Sequence, residues 1–255
     1  DGFSVFGGVD PAKIGFLFSG QGAPVRGNGG NMELRLREVQ SVFAQPHLAR
    51  FQAKDDTDYA QVAITMANIA GLKSLSRLKI VGDVAVGHSL GELSALYWAG
   101  CVAEDDLIKI VSARGSAMTS KDAQASGAML AIAANGDQVE ALLGDTPNLY
   151  AANLNSAQQT IVSGSKDAIA GLTKRLKEKN IGSSVLPLKQ AFHSPYMQKS
   201  AEIFKAALQG IPFAVPKGRL VSTVTGHTIS SGVYFEGYLC YQITIPVLFQ
   251  QAIEN

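Results

Sequence analysis

VAVGHSLGELSALYWAG, residues 84–100, decides the fold. A β-branched apolar run ends at Gly87, Ser89 stands between two glycines, and a helical pattern from Leu90 to Ala99 runs up to a C-terminal cap at Gly100. The spacing predicts a buried strand that turns sharply into a helix. Such a turn strains the serine backbone and leaves little room beside it, so glycine at 87 and 91 lets neighbouring elements approach. It lifts the Ser89 hydroxyl above the sheet edge and aims the Leu90 N–H, at the start of a helix, toward an anion formed nearby. G-x-S-x-G with a strand before and a helix after is the nucleophile-elbow pattern; the plainer alternative is a serine N-cap.

Around the elbow, KIGFLFSGQG (13–22) predicts a buried strand ending in a glycine-rich turn, APVRGNGG (23–30) a loop, and residues up to about 78 helices interrupted at Pro46. VGDVAVG (81–87) is a second buried strand, and Asp105 to about Met118 a helix. The character then changes. Strand GAMLAIAA (127–134), helix DQVEALLG (137–144), strands NLYAANLN (148–155) and QQTIVSG (158–164), helix KDAIAGLTKRLKEKN (166–180) and strand GSSVLPLKQ (182–190) run βαββαβ, a ferredoxin-like order. A helix over 194–210, with Ser194 as N-cap and Pro195 at its first position, and a third apolar strand, GRLVSTVTG (218–226), return to the larger unit. The expected fold is therefore α/β: an α/β-hydrolase-like core with a short parallel sheet (1–125 and 190–255) and an inserted ferredoxin-like subdomain (126–189).

The chain has 255 residues, 46% of them hydrophobic, which suffices for one sizeable core with a small appended unit. A net charge of +1 gives no reason to expect binding to nucleic acid or to an anionic membrane. Cys101 and Cys240 lie far apart, with neither metal-ligand spacing nor a disulfide framework, as suits a reducing cytoplasm. No secretory signal or bilayer-length apolar run is present. The first residue is Asp1 rather than Met, as in a segment cut from a longer protein, though a chosen boundary looks the same.

A serine hydroxyl needs a base. His47 reads as a surface or helix-end residue, and His88, beside the serine, as a group packed against the turn. His193, in AFHSPYM, and His227, in TVTGHTIS, both sit at strand ends, and the residues alone do not choose between them. Arg114 says more. Leu107, Ile110, Val111, Arg114 and Met118 share one face of one helix, so a guanidinium points with an apolar stripe. It either snorkels out or pairs structurally, or it grips an anion such as a substrate carboxylate. GQG at 20–22 is a weak hint of backbone N–H groups near a ligand, and KRLKEK (174–179) is read as a solvated helix face or a contact for an acidic partner.

FLFSGQG, VGHSLGELSALYWAG, the helix with ARGSAM, NSAQQTIVSG, AFHSPYM, LVSTVTG and YQITIPVLFQQAIE, taken in order, resemble the malonyl-CoA:acyl carrier protein transacylase family, which includes the acyltransferase domains of polyketide and fatty acid synthases. The resemblance implies that His193 is the general base, oriented by the main-chain carbonyl of Gln242. It implies an oxyanion hole from the N–H groups of Gln21 and Leu90, and Arg114 as the grip on a malonyl carboxylate. Gln61, Asn155 and Gln159 match pocket positions, and His88 and Met118 join that set. GQGAPVRGNGG departs from the family's usual G-Q-G-S-Q and looks like the acyltransferases of enediyne-type iterative synthases. QAFH (190–193) stands where malonyl-selective relatives read H-A-F-H: bulky Phe192 would crowd an α-methyl branch, while Gln190 fits neither specificity pattern.

The implied activity is transfer of malonyl from malonyl-CoA, through a Ser89 ester, to the phosphopantetheine thiol of an acyl carrier protein, with no permanent cofactor and no metal. Neighbouring synthase domains are implied partners. One rival is a serine esterase or thioesterase with His227 as base and Asp137, Asp145 or Asp167 as acid, an order the α/β-hydrolases permit. It has only two clear strands before the elbow and leaves Arg114 unexplained. The other is a non-catalytic domain that docks a carrier protein, which need not keep GHSLG and AFHSP intact.

Overall fold

The computed structural model describes residues 13–24, 27–49, 57–120 and 126–255. In chain order the elements are β1 (Gly15–Phe18), α1 (Gly30–Glu33), α2 (Arg37–Phe43), α3 (Thr57–Arg77), β2 (Val84–Gly87), α4 (Gly91–Trp98), α5 (Glu104–Thr119), β3 (Ala128–Ile132), α6 (Gly136–Leu143), β4 (Leu149–Ser156), β5 (Gln159–Gly164), α7 (Lys166–Glu178), β6 (Ser183–Val185), α8 (Gln198–Leu208), β7 (Arg219–Val221), α9 (Phe235–Thr244) and α10 (Phe249–Glu254). They form a mixed α/β fold with two separate sheets.

The first sheet is parallel, in the order β1-β2-β7. Its centre is β2, with Ala85 and Val86 buried, because helices cover a parallel sheet on both faces. Residues 91–96 of α4 are all buried, Glu92 and Ser94 among them, so this helix is enclosed nearly all round rather than along one stripe. Its Leu93 and Leu96 share one core with Leu107, Ile110 and Val111 of α5 and with Phe204 and Leu208 of α8.

The second sheet is antiparallel, in the order β4-β5-β3-β6, and its elements run βαββαβ along the chain. Helices α6 and α7 cover one face and close a core of their own around Leu130, Ile132, Val139, Val162, Ile169 and Leu172. Asn135 begins α6 with a reciprocal capping box to Gln138, and Ser165 caps α7. Met129, Ala152 and Ile161 point from the other face into the first core. A backbone ladder also ties the two units: Val247 N–H donates to the Ala152 carbonyl and Leu154 N–H to the Val247 carbonyl, each at 2.9 Å.

Three strands are shorter or more open than their apolar runs predict. β1 pairs only with β2, so it is an edge strand: Phe18 is buried while Leu17 is 65% exposed. β7 stops at Val221 because the chain turns at once, with Ser222 N–H bonded to the His227 carbonyl and Gly226 at φ 73°. β6 covers only Ser183–Val185 and is exposed throughout. The segment expected to be helical from 194 opens with a 3-10 turn at Pro195–Met197, with Ser194 at its N-cap. The expected unit boundary at 125, and residues 25–26 of the predicted loop, lie outside the described residues.

Candidate active site

The elbow forms as its glycines require. A Cβ on Gly87 would run into the backbone of Gly91 and Glu92, one on Gly91 into the Phe18 carbonyl, and one on Gly20 into the His88 carbonyl. The end of β1 and the turn after β2 therefore touch backbone to backbone, and His88 N–H donates to the Phe18 carbonyl at 3.0 Å. Ser89 itself sits at φ 51°, in the left-handed region that costs a non-glycine residue on the order of 1–3 kcal/mol. Among the described residues no acceptor takes the N–H of Leu90 or of Gln21.

Ser89 Oγ lies 2.7 Å from His193 Nε2. His193 also has a left-handed backbone, φ 55°, in the loop between β6 and the Pro195 turn. Its Nδ1 faces two main-chain carbonyls, of Gln242 and Ile245, each at 3.1 Å. Carbonyls only accept, so Nδ1 carries the proton, Nε2 is bare, and the Ser89 hydroxyl donates to it. Burial, then the Arg114 and His88 charges, hold the imidazole pKa down to about 3, so it is neutral and ready to accept a proton. His227, by contrast, is exposed, and its ring lies 3.5 Å from Gln251.

Arg114 is only 2% exposed. Its Nη1 donates to Gln61 Oε1 at 2.9 Å, and its Nη2 reaches Ser89 Oγ at 3.4 Å. Its Nε has no partner, and no carboxylate among the described residues lies within ion-pair distance. Burial lowers its pKa to about 10, against the opposing pull of Glu92, so it keeps its charge at neutral pH. A buried guanidinium with an unfilled donor beside a nucleophile-type hydroxyl is a place for an anion.

These groups line a cavity of about 150 Å³ between the two units. Gln21, His88, Ser89, Arg114, Met118, Asn155, Phe192 and His193, all named in the sequence analysis, line it. Gln61 stands behind that wall, fully buried, holding Arg114 and donating to Met118 Sδ at 3.3 Å. Gln61 is thus outside the cavity lining, and so are two other expected pocket residues. Gln190 is held by a bridge to Ser126 and is half-buried. Gln159 is exposed on an outer groove, where it accepts from Asn155 Nδ2, whose Oδ1 lies 2.8 Å from His88 Nε2. The sequence reading missed the wall that the small unit supplies, Met129, Asn153, Ile161, Leu186 and Leu188. It also missed the second carbonyl, Ile245, for which a loop carbonyl leaves no side-chain signal. Glu92 did leave one: it is the only charged residue in GELSALYW. Among the described residues no cluster of His, Cys, Asp or Glu could hold a metal ion.

A serine hydroxyl bonded to a buried histidine, beside a buried cation and on a shared cavity, is an arrangement suited to acyl transfer. The chain belongs to the acyl transferase domain family, whose profile matches residues 15–255. It is 34% identical over 226 residues to a polyunsaturated fatty acid synthase chain of Thraustochytrium sp., covering 86% of this chain but 8% of that protein. Among solved structures it resembles a malonyl CoA-acyl carrier protein transacylase from Clostridium perfringens (30% identity, TM-score 0.88, 95% of this chain and 82% of that one). It also resembles the acyltransferase domain of an iterative polyketide synthase of enediyne biosynthesis (31% identity, TM-score 0.80, 96% of this chain and 57% of that one).

Proposed function

We propose that this acyltransferase moves a malonyl group from malonyl-CoA to the phosphopantetheine thiol of an acyl carrier protein, through an ester on Ser89. The observation that carries the reading is the Arg114 guanidinium, which has no ion-pair partner among the described residues and whose Nη2 lies 3.4 Å from Ser89 Oγ. An acyl group with a free carboxylate would complete it, while its thioester carbonyl would lie at the hydroxyl. Ser89 attacks that carbonyl as His193 takes its proton. The N–H groups of Leu90 and Gln21 receive the oxyanion, an interaction worth on the order of 10²–10³ in rate per donor. The intermediate collapses and His193 protonates the departing CoA sulfur. The carrier thiol then repeats the steps in reverse, giving its proton to His193 and restoring Ser89. Phe192 in the wall favours malonyl over a branched methylmalonyl.

The finer architecture belongs to the same proposal. The elbow after β2 supports an α/β-hydrolase-like core formed by 1–125 and 190–255, and the βαββαβ order with sheet order β4-β5-β3-β6 supports a ferredoxin-like subdomain at 126–189. The chain spans 8% and 12% of the first two curated relatives, synthases, which supports neighbouring synthase domains as partners. Two free cysteines, with no helix of the described residues long and apolar enough to cross a membrane, support a cytoplasmic setting.

Intact-mass measurement after mixing with a panel of acyl-CoAs tests the activity. Malonyl-CoA should leave a covalent adduct that Ser89→Ala abolishes. Arg114→Ala should lose malonyl loading by about 10- to 100-fold, the worth of a charge-assisted bond, and acetyl loading much less. An adduct surviving in Ser89→Ala, or equal losses for both acyl groups, would refute the reading.

A further inference from the structure

Beneath the elbow lies a carboxyl group that the transfer steps do not use. Glu92 is wholly buried, three residues after Ser89, and its own N–H donates to the Ser89 carbonyl at 3.0 Å. Four donors converge on its carboxyl: Tyr238 Oη and Thr223 N–H (3.3 Å) on Oε1, Thr223 Oγ1 (2.9 Å) and Gln242 Nε2 (2.9 Å) on Oε2. The hydroxyl chain has a direction. Ser222 Oγ already accepts from the N–H groups of Val224 and Thr225, so its proton goes to Tyr238 Oη, 2.6 Å away, and Tyr238 donates onward to Glu92.

Gln242 is the junction. The same Nε2 that Glu92 holds also donates to the Ser89 carbonyl at 3.0 Å. The Gln242 main-chain carbonyl meanwhile accepts from His193 Nδ1. One residue therefore braces the backbone of the hydroxyl bearer with its side chain and aims the imidazole with its main chain. Its Oε1 has no partner, so the Ser89 carbonyl and the Glu92 carboxyl, both acceptors of Nε2, together fix which end of the amide faces Ser89. The alignment matters because Ser89 and His193 both hold left-handed backbones that must be kept in place from outside.

We infer that Glu92 is a positioning residue of the acyl-transfer site, acting through the Gln242 amide to hold Ser89 and His193 in register. The inference rests on Ser89 and His193 being the reacting pair. Every partner of the carboxyl is a donor. In Glu92→Gln the Thr223 main-chain N–H cannot turn, so the new N–H₂ takes the Oε2 side; there Thr223 Oγ1 can reverse to accept or keep the Gly87 carbonyl, but Gln242 Nε2 meets a second donor, and turning Gln242 over relieves that contact. That sets Gln242 Oε1 against the Ser89 carbonyl and removes the brace. A misplacement of about 1 Å costs on the order of 10²-fold in rate.

The test measures stopped-flow acylation by malonyl-CoA, labelling of Ser89 by a fluorophosphonate, and thermal midpoint, on the whole chain. The wild type must acylate; if it does not, the proposed activity fails and Glu92 is not at issue. Glu92→Gln should acylate about 10- to 100-fold more slowly, with its apparent KM changed by less than about threefold, and fluorophosphonate labelling should slow in parallel. In the pair Glu92→Gln with Gln242→Glu, an acceptor again faces the amide at 92, but no donor faces the Ser89 carbonyl. That pair should regain thermal midpoint and not rate. Recovery of rate with stability, full rate in Glu92→Gln, or slowed malonyl transfer with unchanged fluorophosphonate labelling each overturns the inference; the last would assign Glu92 to the Arg114 charge instead. If Glu92→Gln does not fold, Tyr238→Phe, which removes one donor and keeps the ring, decides: slower labelling supports the brace and wild-type labelling refutes it.

Discussion

As the proposed base, His193 meets two opposing demands: a base must be free to take a proton, yet burial and the Arg114 charge keep its pKa near 3. Its sign in a pH profile is fixed. The unfolded imidazole titrates at about 6.5 and the folded one near 3, so between these values the unfolded chain binds the extra proton and this group's share of stability falls as pH falls. Above about 6.5 it contributes no slope. For activity, a base with an ordinary pKa would lose about tenfold in kcat/KM between pH 7.5 and 5.5. This one should stay level over that range, measured by brief pH-jump acylation; an acid limb near 6.5 would show that the imidazole is solvated in solution. Arg114 was legible in the sequence because a cation on an apolar helix face is conspicuous. His193 against His227 was not, because both follow strands and nothing local records that residue 193 returns to residue 89 across 104 positions. Only the resemblance to a family chose between them.

At the scale of elements, periodicity identified α5, α7 and α8 to within a few residues, since each carries its buried stripe in its own sequence. The short strands were over-read for a related reason. An apolar run records burial and not pairing, so KIGFLFSGQG and GRLVSTVTG look continuous although each forms a strand of only three or four residues before turning. The elbow is the exception, because its geometry is written in glycines. Gly91→Ala would drive a methyl group into the Phe18 carbonyl and part β1 from the turn. It should cost about 1–3 kcal/mol in urea unfolding, as overpacking of a tight site does. Acylation should fall further than stability, because the Gln21 and Leu90 N–H groups sit on the two elements pushed apart. Gly171→Ala on α7, where a Cβ meets nothing within 4 Å, is the matched control and should not destabilise. Equal effects of the two substitutions would remove the tight contact as the explanation.

At the scale of the whole molecule, the site exists only where the two units meet. The larger one brings Ser89, Arg114 and His193; the smaller one supplies Met129, Asn153, Ile161, Leu186 and Leu188, a largely apolar wall that would shield the proposed ester from water. The βαββαβ order was legible in the sequence, but not which sheet face would line the cavity, because that depends on contacts far apart in the chain. The join is specific. Segment 242–247 offers two carbonyls to His193 and then, at Val247, enters the ladder with β4. The imidazole's orientation and the smaller unit's seating are thus set by one stretch of backbone. Val247→Pro deletes the N–H that binds the Ala152 carbonyl at 2.9 Å and leaves the apolar bulk nearly intact. If the ladder couples the units, the variant should lower the thermal midpoint by a few degrees, slow malonyl loading by about tenfold, and raise hydrolysis of the loaded ester relative to transfer, since a looser lid admits water. A variant that loses stability but hydrolyses and transfers in the wild-type ratio would mean that the ladder holds the units together without shielding the ester.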